Sequence, residues 1–154
     1  MPHALSPGPE PSEPLVLAWD DLLQQHPLPH YVYDVQTLQV LAANRAACLR
    51  YGYDAAELVG LGREALMFPG ELPRLQAFLA GLPASALVQP QHVWHERTKD
   101  GRELFSDIRG RPVWWQGRRA RLSVVVDAGT RLRHAADAEQ ARDLLQVAGQ
   151  LARV

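Results

Sequence analysis

Two stretches of the chain, residues 31–42 and 91–126, read as strands, and helical periods occupy the segments before, between and after them. Tyr31, Val32 and Tyr33 are β-formers ending at Asp34, Val35-Gln36-Thr37 makes a turn, and Leu38 to Ala42 reads as a return strand. Asn44 has the N-cap chemistry to start a helix through Leu49, and Gly52 can stop it in the left-handed conformation. Asp54 caps the next helix, with Glu57 three residues on as a capping box. Gly60 and Gly62 break the chain, and Arg63 to Phe68 allows one helical turn. From Glu71 to Leu82, Leu72, Leu75, Phe78, Leu79 and Leu82 recur at spacings of three and four, the signature of a helix with one buried face.

Gln91 to Thr98, Glu103 to Trp114 and Arg118 to Val126 read as three strands, joined through Lys99-Asp100-Gly101 and Gln116-Gly117. Residues 1–13 carry prolines at 2, 7, 9 and 11 with little to bury, which reads as a flexible arm. Pro14 sits at a plausible helix start, and Leu15, Leu17, Ala18, Trp19, Leu22 and Leu23 form a broad apolar stripe that Pro27 and Pro29 terminate. At the other end, Ala138, Ala141, Leu145, Ala148 and Ala152 follow a 3-4-3-4 rhythm, compatible with a coiled-coil seam or with a solvated helix.

Four stretches in this order resemble a PAS domain. HPLPHYVYDVQTLQVLAANRAA is similar to the family's first hairpin and helix, YGYDAAELVG to its second helix, KDGRE to its hairpin turn, and WQGRRARLSVVVDAGTR to its last strand and exit. The resemblance covers roughly Asp20 to Arg133. It implies an α+β fold: a five-stranded antiparallel sheet with short helices on one face, an N-terminal amphipathic helix and a C-terminal exit helix. The domain divides accordingly into an arm (1–13), the N-terminal helix (14–26), the PAS domain (27–128) and a signalling helix (129–154) that looks truncated. The family often leaves its last strand through an Asp-x-Thr motif; here Asp127 is present, but Gly129 stands where the Thr would fall and Thr130 follows. Asp127, Thr130 and Arg131 are therefore the expected relay residues, and helix capping is an alternative role for Asp127.

Composition narrows the function. A net charge of −1 over 154 residues argues against nucleic acid or an anionic membrane as a partner held by bulk electrostatics. Cys48 is the single cysteine, so no internal disulfide forms and a reducing cytoplasm is the expected home. No apolar run is long enough to span a bilayer. No nucleophile elbow or Gly-rich phosphate cradle marks an enzyme, and the histidines lack metal-ligand spacing. Flavin-adduct relatives need a cysteine that residues 60–68 lack, and haem relatives usually take a histidine from the longer helix, which has none. No cofactor is expected, haem and flavin being disfavoured, although a non-covalently held flavin stays open.

In this fold a ligand lies between sheet and helices, so strand parity selects the candidates. Ala120, Leu122, Val124 and Val126 are the expected inward set of the last strand, and Leu104, Ser106, Ile108 and Gly110 that of the middle strand. A three-residue Lys-Asp-Gly loop places Trp94 across from Ser106 and His92 across from Ile108; a two-residue turn would bring Val93 and His95 inward instead. The candidate pocket is Tyr33, Leu58, Leu66, Phe68, Leu75, Phe78, Trp94, Ser106, Ile108 and Leu122 around a small apolar ligand. His92 or Ser106 would orient it and Gly110 would leave room; the alternative is plain core packing. Leu15, Trp19, Leu22 and Leu23 are the expected homodimer interface. The reading is a cytoplasmic sensor and dimerisation module, not an enzyme, whose exit helix biases an output kinase or a cyclic-di-GMP cyclase or phosphodiesterase. Its rivals are a ligand-free interaction module acting only in homodimerisation and, less favoured, a flavin or haem redox or gas sensor.

Overall fold

The computed structural model describes residues 15–82 and 93–152, and the expected arm, Pro14 and His92 lie outside them. The elements are β1 (Leu15–Val16), α1 (Asp21–Gln25), β2 (His30–Asp34), β3 (Val40–Ala43), α2 (Arg45–Tyr51) and α3 (Ala55–Leu58). A 3-10 turn (Arg63–Leu66), α4 (Glu71–Gly81), β4 (Val93–Arg97), β5 (Glu103–Trp115), β6 (Arg118–Asp127) and α5 (Gly129–Leu151) follow. The sheet runs β1-β5-β6-β2-β3, with β4 also pairing β5. Because β6 occupies one edge of β5, β4 and β1 share the other, β4 at residues 103–107 and β1 at Val113 and Trp114.

The N-terminal segment corrects the expectation of a helix from Pro14 to Gln25. Leu15 and Val16 pair in parallel with Val113 and Trp114, so the expected five-stranded sheet gains a sixth, two-residue strand. The helix begins only after Asp20, whose side chain accepts from the Leu23 N–H at 3.0 Å. A free sheet edge and an internal cap thus outcompete the helical stripe. Between them, Leu17 and Trp19 fold onto the outer face of the sheet, with Trp19 edge-on to Trp115 at 6.0 Å.

Asn44 holds this segment to the domain. Its Oδ1 accepts from the backbone N–H of Ala47, capping α2 as expected, and also from that of His30, both at 2.9 Å. Its Nδ2 donates to the carbonyls of Leu23 at 3.1 Å and Leu28 at 2.9 Å, with His26 at 3.4 Å. One fully buried amide therefore ties α1, the start of β2 and the start of α2 together. Gly52 ends α2 at φ 78°, also as expected. The capping box on α3 does not form: Asp54 makes no side-chain cap bond, and Glu57 is drawn instead to Lys99 Nζ at 2.6 Å.

Register around β5 decides the interior. The Lys99-Asp100-Gly101 loop has Gly101 at φ 87° and sets Trp94 across from Ser106, the expected pairing. At the other end, Gln116 and Gly117 (φ 46° and 78°) form a two-residue turn of the I′ type, which pairs Ser106 with Asp127, Ile108 with Val125 and Gly110 with Ser123. The inward set of β6 is therefore Arg121, Ser123, Val125 and Asp127, a correction to the expected Ala120, Leu122, Val124 and Val126. Ala120 and Leu122 join Val32, Ala42 and Val113 on the outer face, under Leu17 and Trp19. The main core lies on the other face, where Tyr31, Tyr33, Val40, Ile108 and Val125 meet Ala47, Tyr51, Leu58, Leu66, Met67 and Leu75.

Asn44→Ala removes a cap and leaves several buried backbone groups unpaired, so a loss on the order of 3 kcal/mol is expected in urea denaturation. Gln116→Asn, better suited to positive φ, is expected to raise stability by about 0.5 kcal/mol in the same measurement.

Candidate functional site

The interior between the sheet and the helices is charged. Gly62 and the 3-10 turn bring Arg63 inward, with 2% of its surface exposed. Its Nε donates to the Tyr31 hydroxyl at 2.9 Å, and its guanidinium carbon stands 4.8 Å from the Tyr33 ring centre, 5.7 Å from Trp94 and 5.8 Å from Tyr31. The rings of Tyr33 and Trp94 and the hydroxyl edge of Tyr31 thus surround the cation. Burial opposes this charge, but Tyr31, Tyr33, Glu96 and the Tyr31 hydrogen bond outweigh it and hold Arg63 above its ordinary range. Burial pushes the Tyr31 phenol up to about 12 against the pull of Arg63, so it is neutral at physiological pH.

Glu96, fully buried, follows Trp94 by two residues on β4 and shares its inward face. Its Oε1 accepts from the Tyr51 hydroxyl at 2.9 Å. Burial raises its pKa; Ser106, Arg63, Tyr51 and Arg50 pull in the other direction without cancelling that rise. Burial, with Glu96 next in importance, also holds the Tyr51 phenol well above its ordinary value. Glu96 Oε2 and Arg63 Nη1 are buried and have no hydrogen-bond partner among the described residues.

Arg50, on the last turn of α2, carries the network outward. Its Nη2 donates to Ser106 Oγ at 2.7 Å, to the Phe105 carbonyl at 3.2 Å and to Asp127 Oδ1 at 3.3 Å. Ser106 stands between Trp94 and Asp127 by register, fully buried. Asp127 is the last residue of β6, and α5 begins two residues later. Its carboxylate faces Arg50 while the N-terminus of α5 has no side-chain cap, so ion pairing rather than capping is its role here.

Of the expected ligand residues, Tyr33, Leu58, Leu66, Leu75, Trp94 and Ile108 come together in the main core. Ser106 and Gly110 lie on the same inward face of β5, and Phe78 packs edge-on to Trp94 at 5.6 Å. Phe68 and Leu122 do not join them. Phe68 stacks at 3.9 Å on His95, itself stacked on Phe105, on the far side of β4 and β5, and Leu122 is turned outward by the two-residue turn. His92 lies outside the described residues, as do the side chains of Thr130 and Arg131, whose backbone is in α5. Among the expected interface residues, Trp19 packs on its own sheet, Leu23 is half-buried, and Leu15 and Leu22 are exposed.

Sequence reasoning missed Arg50, Tyr51, Arg63 and Glu96. Period-two parity from Trp94 would have found Glu96; the others carry no local signal. Cys48 is half-buried, and burial raises its thiol, as suits a packing residue. Among the described residues no cluster of three or more His, Cys, Asp or Glu could hold a metal ion.

Tyr31→Phe deprives Arg63 Nε of its acceptor in a dry site and should cost about 1–3 kcal/mol, read by chemical denaturation.

No protein-family profile and no curated protein matches the chain. Solved structures do. The PAS domain of an HTR-like protein from Haloarcula marismortui superposes with TM-score 0.60 at 18% identity, over 69% of this chain and 85% of that one. A domain of the sensory box sensor histidine kinase/response regulator from Geobacter sulfurreducens gives TM-score 0.56 at 20% identity, over 69% and 88%. An RNA-binding Light-Oxygen-Voltage receptor gives 0.64 at 19% identity, over 80% of this chain and 36% of that one.

Proposed function

Since the chain has the PAS fold, we propose that it is a sensory and regulatory module that passes a conformational bias from its interior through α5 to an output domain, with no catalysis of its own. Arg50 carries this reading: one guanidinium bonds to Ser106 inside the domain and to Asp127 at the root of α5. A signal works here only if it binds one arrangement of interior and root better than the other. The output domain in this reading is a histidine kinase or a cyclic-di-GMP cyclase or phosphodiesterase; one of the similar structures is itself part of a sensor histidine kinase/response regulator.

The partner of α5 in this proposal is the same helix of a second copy. Leu145, in the alanine-rich seam, and Leu144, Val147 and Leu151 beside it are exposed along this helix. Leu15 and Leu22, both exposed, extend the apolar surface at the other end of the chain. The setting is cytoplasmic and the module holds no resident cofactor; among the described residues no helix is long and apolar enough to cross a membrane. A second reading, a ligand-free interaction module, is favoured by Trp94 and the caged Arg63, which fill space that a small apolar ligand would use.

Leu145→Asp is expected to weaken self-association by tenfold or more (roughly, as for a buried interface anchor) in sedimentation equilibrium. Arg50→Met, which removes the half-exposed ion pair with Asp127 along with the Ser106 and Phe105 bonds, should speed amide exchange of residues 129–133 by roughly two- to fivefold. An unchanged exchange rate there would sink the relay.

A further inference from the structure

Glu96 is enclosed on every side by groups that respond to its charge. Arg63 faces it from the 3-10 turn, Tyr31 from β2, Tyr51 and Arg50 from α2, and Ser106 from β5. Neither arginine forms an ion pair with it: Arg63 bonds through Nε to Tyr31 while its Nη1 has no partner among the described residues, and Arg50 bonds to Ser106, Phe105 and Asp127. Oε1 is engaged by Tyr51, while Oε2 is buried and without a hydrogen-bond partner among the described residues. Ser106 is the hydroxyl at hand for this carboxyl, but Oε2 lacks a formed hydrogen bond, and a buried carboxyl oxygen in that position is where a proton is best accommodated.

We infer that Glu96 is a proton-binding site, and that its occupancy shifts Arg50 between the interior and Asp127, making pH the signal that this module reads. The inference rests on the relay proposed above and names its input. When Glu96 is ionised, the Ser106 hydroxyl turns its hydrogen toward Oε2 and offers its lone pairs to Arg50 Nη2. When Glu96 takes a proton from water onto Oε2, that O–H donates to Ser106 Oγ and competes with Arg50 for the same oxygen. One negative charge also disappears from the interior side of Arg50. Both changes favour the Asp127 contact, so acid tightens the root of α5.

The net upward pull of burial on this carboxyl fixes the sign of the stability effect. The folded state binds the proton more tightly than the unfolded chain, so the stabilisation is fully present below the ordinary value of 4.5 and is lost as pH rises through the folded-state value. Glu96→Gln retains the Tyr51 bond and donates permanently toward Ser106, as the neutral acid does.

The test uses this chain between about pH 4 and about pH 8, reading carboxyl-carbon NMR and amide exchange of residues 127–133 together. The Glu96 carboxyl, assigned by its disappearance in Glu96→Gln, is expected to titrate above 4.5. Protection at the α5 root, corrected for intrinsic exchange, should rise several-fold as pH falls through that value, and Glu96→Gln should hold the acid-level protection throughout. The urea midpoint of the wild type should fall relative to Glu96→Gln as pH rises. Ser106→Ala should leave the titration in place and flatten the response at α5. A Glu96 carboxyl that titrates at or below 4.5, or a Glu96→Gln root as pH-dependent as the wild type, overturns the inference. If Glu96 titrates as expected but Arg50→Met leaves the root of α5 unchanged, the relay fails rather than the proton site.

Discussion

Because only Gln116 and Gly117 separate β5 from β6, every even-numbered residue of β5 stands opposite an odd-numbered residue of β6. Nearly everything of chemical interest here depends on that parity. It turns Arg121, Ser123, Val125 and Asp127 toward the helices and sends Ala120 and Leu122 to the outer face. It also places Asp127 directly across from Ser106, within reach of Arg50. A connection one residue longer would reverse the whole strand. The turn holds its length although Gln116 sits at φ 46°, where Asn or Gly is the better residue.

The interior that results carries buried charge alongside its apolar packing. Arg63 is buried among three aromatic rings, and Glu96 lies on a neighbouring element without forming an ion pair with it. Isolated charges in such a place are costly, and well-packed apolar side chains would often serve stability better. In such an arrangement a change in the charge of one group is felt by the others across a medium that screens poorly. Tyr31 and Tyr51 stay protonated under the same burial, so the interior has hydroxyl groups in fixed positions.

Local rules were legible where the backbone itself demands a residue type. Asn44 as a cap, Gly52 at positive φ and the three-residue loop ending at Gly101 follow from chain geometry alone. Alternation in β6 was equally clear but pointed to the wrong face. The apolar set does lie under cover, but that cover is Leu17 and Trp19, folded back from a segment whose stripe read as helical. Hydrophobic periodicity reports that a face is buried without saying by what. The charged residues were harder still, because Arg63 and Glu96 in a sequence look like solvated surface. Only the parity of Glu96 with Trp94 hinted otherwise.

Covering both faces of the sheet sets how the molecule breathes. β6 has hydrogen-bonded neighbours on each side, β5 and β2, and side chains packed above and below it. Its central amides can meet solvent only when the domain opens as a whole, whereas the exposed α5 frays turn by turn. These two regimes meet over a few residues, between Val125, whose N–H is held by the Pro29 carbonyl at 2.9 Å, and Gly129. Asp127 sits at that boundary. In the proposed relay, a change in its grip on Arg50 would move the line between slow and fast exchange along the chain and leave the slow side as it was.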